Sequence, residues 1–328
     1  MIVTRTPLRI SIGGGGTDLP SYYREFGGFV ISAAIKRYVF IALSRAFFPG
    51  YFLKYSAIEH VLTRGEVRHP LIREALEMLD MPDHLDIASF ADVPAGTGLG
   101  SSGSFVVGLL HALHVAKRER VTAQQLAEEA VEIEMVRLDE PVGKQDQYIA
   151  ACGGLLVQDY RTDDSVGLSQ LKISDAARAE LKESLMLFFV GSTRAASALL
   201  GDQKVKLAKR DQAMVDSLHF NKQLGQEIGR LLEAGDIAGF GRLMHEHWLR
   251  KRCRSAGMSS ERVDHLYAIG REKGGATGGK LVGAGGSGFL LFHTRDRKRL
   301  RKVMQEAGLS ETEIEFDFDG STVLIHDL

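Results

Sequence analysis

The sequence predicts an α+β fold built of two units that divide near residue 180. Segments rich in Val, Ile, Tyr and Phe, which favour strands, occur in both halves of the chain between segments of helical character. A length of 328 residues is sufficient for two domains. Both halves also contain glycine-rich loops. We therefore expect one unit at residues 1–180, a second at residues 181–328, and a site between them.

The first unit combines strands with helices. Its first segment mixes β-branched and polar residues and ends in four glycines, as a strand that enters a tight loop does. Thr122 and Gln125 have the spacing of a capping box at a helix start. The predicted strands are residues 2–12, 29–44 and 85–90, and the predicted helices are residues 71–79, 105–115 and 122–138.

The second unit is mostly helical in its first part. Residues 203–273 have helical character, with interruptions near Gly235 and Gly257. A mixed segment follows, with one more helix at residues 296–307. The predicted strands of this unit are residues 185–190, 289–293, 313–318 and 323–326.

Composition narrows the functional class. The net charge of −1 provides no overall attraction to nucleic acid or to an anionic membrane. The two cysteines, Cys152 and Cys253, lie far apart and have no metal-ligand spacing. The first residues lack the pattern of a signal peptide, and no apolar run is long enough to span a membrane. We expect a cytoplasmic protein with no nucleic-acid or membrane partner; a homodimer is left open.

The central motif is a glycine- and serine-rich loop that leads directly into an apolar helix. Glycines allow backbone N–H groups to approach phosphate oxygens, and the helix N-terminus adds partial positive charge. The alternative is a glycine-rich turn in which Ser101 or Ser102 only caps the helix. The candidate phosphate-binding residues are Pro94, Gly96, Thr97, Gly98, Leu99, Gly100, Ser101, Ser102, Gly103 and Ser104.

Two other phosphate motifs are excluded by context. The glycines at 98, 100 and 103 match the dinucleotide-binding pattern as letters, but that pattern requires a second strand ending in an acidic residue about 20 positions later. The chain instead continues as helix, turn and helix. A Walker A sequence is absent.

Three separated motifs resemble those of the GHMP kinase superfamily, which includes galactokinase, homoserine kinase, mevalonate kinase and phosphomevalonate kinase. Residues 94–104 resemble its ATP-binding loop, residues 6–18 (TPLRISIGGGGTD) its substrate-side motif, and residues 280–289 (KLVGAGGSGF) its third motif. They stand in the order that the superfamily uses. The resemblance implies ATP and Mg²⁺ as cofactors. It also implies an N-terminal lobe like the second domain of ribosomal protein S5 and a ferredoxin-like C-terminal lobe.

The resemblance also implies catalytic roles. Asp146 matches the catalytic aspartate of the galactokinase-like branch and would accept the proton of the substrate hydroxyl. Arg9 would pair with Asp146 or contact the transferring phosphoryl group. For Lys144 two readings remain, one that it positions the phosphoryl group and one that it pairs with a neighbouring carboxylate.

For Mg²⁺, the superfamily uses a loop serine and a glutamate from the following helical region. Ser102 is the better match, with Ser101 as its alternative. Glu134 lies 12 residues before Asp146, whereas Glu132 would occupy a different helix face. The alternative for either glutamate is a solvated charge on a helix surface.

The resemblance of the substrate-side motif, residues 6–18, implies a sugar substrate. Asp18 matches the aspartate that accepts hydrogen bonds from ring hydroxyls, and the glycines before it leave room for a longer sugar. The motifs look closest to the D-glycero-D-manno-heptose 7-phosphate kinase family, which makes the 1,7-bisphosphate for nucleotide-activated heptoses of capsule or lipopolysaccharide. Fucose kinases, decarboxylases and non-catalytic regulators of the superfamily remain alternatives. The substrate-binding candidates are Gly15, Gly16, Thr17, Asp18, Arg194, Gly285 and Gly286.

A sugar phosphate also needs a second anion site. Arg194 follows a predicted strand and presents a fork suited to phosphate oxygens. The basic residues 250, 251, 252 and 254 are a second option, although a solvated basic helix end explains them better. Trp248 is predicted as a packing residue.

Overall fold

The computed structural model describes residues 1–191, 201, 205–207, 211–252, 257–283, 285–286 and 288–327. The predicted substrate residue Arg194 and the basic residue Arg254 lie outside these ranges. Within them the chain forms an eight-stranded sheet, a four-stranded sheet and helices packed against both. No helix in these ranges is both long enough and apolar enough to cross a membrane.

The larger sheet belongs mainly to the first half of the chain. Its strands are β1 (Ile2–Gly13), β2 (Gly28–Arg45), β3 (Tyr51–Lys54), β4 (Ile58–Val61), β5 (Leu85–Ala91), β6 (Leu155–Tyr160), β7 (Val166–Gln170) and β12 (Thr322–His326). The long strand β2 pairs with β1 along one edge and with β5 and β6 along the other. On the far side of β1 lies β12, which comes from the other end of the chain.

The smaller sheet belongs to the second half. Its strands are β8 (Leu185–Phe189), β9 (Ala276–Leu281), β10 (Phe289–Thr294) and β11 (Glu311–Thr312). They lie in the order β11–β8–β10–β9, and every pair is antiparallel. The fully buried Trp248 packs here with Tyr267, so its predicted packing role is confirmed.

Helices cover both sheets. They are α1 (Pro20–Phe26), α2 (Pro70–Met78), α3 (Ser101–Ala116), α4 (Ala123–Val131), α5 (Gln145–Cys152), α6 (Asp175–Ser184), α7 (Gln212–Glu233), α8 (Ile237–Lys251), α9 (Glu261–Glu272) and α10 (Arg297–Glu306). Helix α3 is apolar almost all round because it is buried between β1, β2 and α5. Helix α7 packs on β1, so it connects the second half of the chain to the first.

Most predicted elements are present, with two differences that matter. Helix α4 continues as a π-helical segment, Glu132–Arg137, rather than as a regular α-helix. The strand predicted at residues 313–318 is wrong. The segment forms only an isolated bridge between Phe316 and Ile35. Its alternating apolar residues are explained by burial without a ladder, because Ile314 and Phe316 pack into the core from an irregular segment.

Candidate active site

A cavity of about 740 Å³ is lined by residues from both halves of the chain. Strand β1 contributes its C-terminal part, and α3 and α5 contribute their N-termini. The end of α8 and residues 280–283 close the cavity from the second half. Of the predicted loop residues, those that line the cavity are Gly96, Gly98, Gly100, Ser101, Ser102 and Gly103.

The glycines of this loop are required by close packing. Gly100 has a left-handed backbone, with φ of 77°, and a Cβ there would lie 3.0 Å from Cγ of Arg9. A Cβ at Gly103 would lie 2.9 Å from Cβ of Asp146. The loop and the N-terminus of α3 are therefore pressed against these two charged residues. Leu99 and Ser104 are instead buried below the loop, where Ser104 Oγ donates to the Pro7 carbonyl at 2.7 Å.

Arg9 and Asp146 form a bidentate ion pair. The Arg9 Nε donates to Asp146 Oδ1 at 2.7 Å, and its second terminal nitrogen donates to Oδ2 at 2.8 Å. A third donor of Arg9 contacts the Gly98 carbonyl in the loop. The Arg9 side chain is buried, whereas the Asp146 side chain is 26% exposed towards the cavity. The pairing expected from the sequence is therefore present, and its carboxylate remains accessible.

Glu134 is a buried carboxylate that lines the cavity. It accepts hydrogen bonds from the Ser102 hydroxyl and from the Gln147 amide. Burial raises its pKa to about 7, and the nearby Asp146 carboxylate adds to this. Glu132 is only partly buried and does not line the cavity, so the structure separates the two candidates as expected.

Ser102 and Glu134 fit a magnesium ion by their chemistry. Both offer hard oxygen atoms, and a buried carboxylate with a raised pKa is stabilised by a cation beside it. No group of three or more His, Cys, Asp or Glu with a metal-binding arrangement occurs in the described ranges.

Asp18 is a further buried carboxylate in the cavity wall. Its carboxylate accepts hydrogen bonds from the Gln145 backbone and side chain, at 3.2 to 3.3 Å, and from the Gly16 backbone at 3.1 Å. Burial, followed by repulsion from Asp146, raises the pKa of Asp18. Gly143 is close by, since a Cβ there would lie 1.9 Å from Asp18 Oδ2. Position 143 therefore has to be glycine for the Asp18 carboxylate to fit.

The first motif uses its glycines in different ways. Gly14 was predicted to leave room for the substrate, and this prediction is wrong. A Cβ there would lie 1.9 Å from the Phe29 carbonyl, so the space is filled by the protein's own backbone. Gly15 and Gly16 do line the cavity, and a Cβ at Gly15 would contact only Ser11 Oγ, at 3.0 Å. Thr17 is fully buried and bonded to the Gly14 and Phe29 carbonyls, so it supports the loop and does not line the cavity.

The structure does not bring Lys144 to the cavity. Its ammonium donates to the Asp164 carbonyl at 3.0 Å and lies 4.9 Å from the centre of the Tyr23 ring. Asp164 Oδ1 lies 3.8 Å away. Of the two readings for Lys144, pairing with a neighbouring carboxylate is the one that the structure supports. Lys144 and Asp146 are close in sequence, but their side chains leave the start of α5 in different directions.

Two lysines to which the sequence assigned no catalytic role, Lys251 and Lys280, line the cavity instead. Lys280 is 2% exposed and donates to the Ile12 carbonyl at 3.0 Å. Lys251, expected at a solvated helix end, is 8% exposed and donates to the Leu281 carbonyl at 2.9 Å and to the Gly283 carbonyl. Lys280 is the first residue of the third motif, and Lys251 belongs to the basic cluster that was weighed as an anion site.

The third motif packs on the glycine loop. A Cβ at Gly283 would lie 2.6 Å from Cα of Gly98, and one at Gly288 would lie 2.0 Å from the Thr97 carbonyl. Gly285 and Gly286, predicted to bind substrate, contact Met258 and do not line the cavity. The motif therefore shapes the loop more than it touches the enclosed space.

The other end of the cavity is apolar and aromatic. Its residues come from segments that are distant in sequence, so no local motif predicted it. Its side chains include those of Val39, Tyr55, Leu71, Phe90 and Phe105. Flat apolar walls of this kind suit a planar aromatic group.

Comparison with known proteins agrees with the class that this site defines, a phosphotransferase. The family model for the GHMP kinase N-terminal domain matches residues 68–154, and the model for the C-terminal domain matches residues 230–309. The chain belongs to the GHMP kinases, and the α+β GHMP kinase fold expected from the sequence is confirmed.

Individual relatives are more distant. The chain is 27% identical over 314 residues to D-glycero-alpha-D-manno-heptose 7-phosphate kinase of Campylobacter jejuni, covering 92% of each chain. It is 25% identical over 338 residues to the bifunctional fucokinase/GDP-fucose pyrophosphorylase of Arabidopsis thaliana, covering 95% of this chain and 31% of that protein. The fold is shared with a D-glycero-D-manno-heptose 1-phosphate kinase from Bacteroides thetaiotaomicron, with a TM-score of 0.83, 23% identity and 99% coverage of both chains.

Proposed function

We propose that the chain is an ATP-dependent sugar kinase that phosphorylates the anomeric C1 hydroxyl of D-glycero-D-manno-heptose 7-phosphate, giving the 1,7-bisphosphate. The observation that carries the chemistry is the Arg9–Asp146 pair set against the glycine loop and the N-terminus of α3. The likeness to the Campylobacter jejuni heptose kinase over 92% of both chains supports the choice of sugar. The product would feed nucleotide-activated heptose for capsule or lipopolysaccharide.

In this proposal Asp146 is the general base. Its carboxylate faces the cavity and would accept the proton of the attacking hydroxyl. Arg9 fixes the carboxylate by two hydrogen bonds, so the base keeps one orientation as the substrate binds. The backbone N–H groups of the loop and the start of α3 would hold the ATP phosphates. The apolar end of the cavity would take the adenine ring.

Ser102 and Glu134 would hold Mg²⁺. When bound, the ion would neutralise charge on the phosphates that are brought together with the buried carboxylates. The Ser102 hydroxyl and the Glu134 carboxylate already contact one another, so little rearrangement is needed to offer both oxygens. Gln147 holds the second carboxylate oxygen of Glu134 in place.

Asp18 would select the sugar. Its carboxylate is held by Gln145 and Gly16 at the cavity wall and would accept hydrogen bonds from ring hydroxyls. The open space beside Gly15 would accommodate the longer side chain of a seven-carbon sugar. Arg194, outside the described residues, remains a proposed contact to the substrate.

The direct test is ADP release with Mg-ATP against a substrate panel. The panel contains D-glycero-D-manno-heptose 7-phosphate, sedoheptulose 7-phosphate, mannose, galactose, fucose, homoserine and mevalonate. We expect turnover of the mannoheptose phosphate, with ³¹P NMR showing a new phosphate on C1. Turnover of homoserine or mevalonate alone would overturn the sugar assignment, and no turnover despite ATP binding would point to a regulator on a kinase fold.

A second candidate is a kinase of a neutral sugar such as fucose. The likeness to the plant fucokinase covers 95% of this chain, and a fucokinase of Bacteroides fragilis shows 24% identity over 92% of this chain. This candidate uses the same Asp146 and Arg9 chemistry with a different pocket. Preference for fucose over the heptose phosphate in the panel would select it.

A further inference from the structure

Lys280 is a buried cation in the cavity wall with an incomplete set of partners. Its ammonium is 2% exposed and donates one hydrogen bond, to the Ile12 carbonyl at 3.0 Å. No carboxylate in the described ranges forms an ion pair with it. The neighbouring charge that acts on it is the cation Arg9, and this repulsion adds to burial in lowering the pKa of Lys280 to about 7. A buried ammonium beside another cation is stabilised by an anion.

Ser11 is a second incomplete group on the same wall. Its hydroxyl is buried, lines the cavity and has no hydrogen-bond partner among the described residues. A buried hydroxyl without a partner destabilises the folded chain, and a ligand that bonds to it removes that penalty. Ser11 is adjacent in sequence to Ile12, whose carbonyl holds the Lys280 ammonium. A hydroxyl donor and a cation therefore border the same part of the cavity, next to the space at Gly15.

Ser11 and the Ile12 carbonyl that holds the Lys280 ammonium lie farther along β1 than Arg9 does. Arg9 and Ser11 are two residues apart, so their side chains lie on the same face of the strand. A strand rises about 3.3 Å per residue, which places Ser11 roughly 7 Å beyond Arg9, away from the glycine loop. Asp18 borders the same part of the cavity, because Gly16 donates to its carboxylate at 3.1 Å and a Cβ at the adjacent Gly15 would lie 3.0 Å from Ser11 Oγ. A sugar ring held by Asp18 would therefore lie next to Ser11.

We propose that Lys280 and Ser11 form the subsite for the phosphate group that the sugar substrate already carries. This inference rests on the proposed function, because it requires a phosphorylated sugar with its acceptor hydroxyl at Asp146. The phosphate accepts hydrogen bonds from the Lys280 ammonium and the Ser11 hydroxyl, and it neutralises the cation next to Arg9. The subsite selects sugar phosphates over neutral sugars, while Asp146 and Arg9 serve either class.

The test compares one sugar with and without its phosphate. The second-order rate constant kcat/KM is measured with Mg-ATP on D-glycero-D-manno-heptose 7-phosphate and on D-glycero-D-manno-heptose. We expect Lys280→Met to lower the value for the phosphorylated sugar by roughly 10- to 100-fold, as for loss of a hydrogen bond to a charged group. Ser11→Ala should lower it about 5-fold. Neither change should alter the value for the neutral sugar.

Lys222→Met is the matched control. Lys222 also donates to a backbone carbonyl, that of Phe26, but it lies outside the cavity lining. The control should retain the wild-type preference for the phosphorylated sugar. Thermal unfolding of all three variants checks that the fold is intact, and calorimetric titration of the heptose phosphate without ATP should show the same ranking of affinities.

The outcomes separate the inference from the function on which it rests. If Lys280→Met lowers kcat/KM equally on both sugars, Lys280 acts on the transferring phosphoryl group and the inference is wrong. If it changes neither value, the subsite lies elsewhere. If the wild-type protein fails to phosphorylate the heptose phosphate, the proposed function itself fails, and this is seen before any variant is made.

Discussion

The cavity wall at strand β1 has two ends, one near Arg9 and Asp146 (the reaction end) and one near Ser11 and Lys280 (the far end). The polar side chains of the two ends differ in how many hydrogen-bond partners they have. At the reaction end, Arg9 meets Asp146 through two hydrogen bonds, and Glu134 is held by Ser102 and Gln147. Farther along the strand, the Ile12 carbonyl is the one hydrogen-bond partner of Lys280 from β9, and the Ser11 hydroxyl has none among the described residues. The reaction end is therefore organised before any ligand arrives, whereas the far end is completed only by a ligand. This difference agrees with the proposal that phosphoryl transfer takes place at the first end and substrate selection at the second.

The strongest test of the reaction end is Asp146→Asn. The amide keeps the size of the side chain but cannot accept a proton, so kcat should fall by about 10² to 10⁴. The rate is measured by ADP release at saturating substrate. Asp159→Asn, at an exposed position of β6, is the control and should keep the wild-type rate. A near-normal rate in Asp146→Asn would mean that positioning alone drives the transfer.

Removing the partner of Asp146 should have the next largest effect. Arg9→Met leaves the carboxylate without its two donors, and we expect kcat to fall by about 10- to 100-fold and the protein to lose stability. Arg9→Lys should recover little, because lysine lacks the planar fork. Arg5→Met, which breaks an arginine–carboxylate pair of the same strand outside the cavity, serves as control. Equal losses in both methionine variants would contradict a specific role for Arg9.

Because the pKa of Lys280 is lowered in the folded protein, the free energy of unfolding should depend on pH. Burial and Arg9 lower the pKa of Lys280 from 10.5 to about 7, so between these values the unfolded chain binds a proton that the folded chain lacks. The free energy of unfolding should therefore rise with pH in this window, by at most about 1.4 kcal/mol per pH unit from this group. Urea unfolding across the window should show a flatter pH dependence for Lys280→Met than for Lys222→Met. Identical slopes would show that the Lys280 ammonium keeps its proton in the folded protein.

The smallest change probes the space beside Ser11. Gly15→Ala adds a methyl group that meets Ser11 Oγ at 3.0 Å, so KM for the heptose phosphate should rise by about tenfold or less with kcat unchanged. Gly14→Ala is the informative comparison, because its Cβ would overlap the Phe29 carbonyl and should lower the melting temperature instead. A stable Gly15→Ala protein with unchanged KM would remove the argument for substrate space at this position.

The sequence predicted those parts of the site that depend on local motifs. The glycine loop, the helix that follows it and the Arg9–Asp146 pair were all expected, since motif order determines which segments meet in this family. For Lys144 the sequence left two roles open, because proximity in sequence does not determine the direction of a side chain at a helix start. Gly14 was misjudged because a missing side chain can make room for the protein's own backbone as readily as for a ligand.

Other features depend on tertiary packing and left no local signal. The apolar end of the cavity combines Val39, Tyr55 and Phe90, which are distant in sequence. The burial of Lys280 follows from its contact with β1, more than two hundred and sixty positions earlier in the chain. The π-helical turn around Glu134 could not be predicted from hydrophobic periodicity either. The segment is so short that its apolar spacing is the same as that of a regular α-helix.

The pairing of β12 with β1 has a consequence for how the protein is made. Ile2 lies opposite His326, so one edge of the larger sheet joins the two most distant parts of the sequence. Contacts of such long sequence separation form slowly. During synthesis this edge of β1 therefore stays unpaired until residues 322–326 have emerged, and an edge strand of this kind is prone to wrong pairing. A fragment cut at the predicted boundary near residue 180 would keep that exposed edge permanently, and we expect it to aggregate rather than fold as an independent lobe.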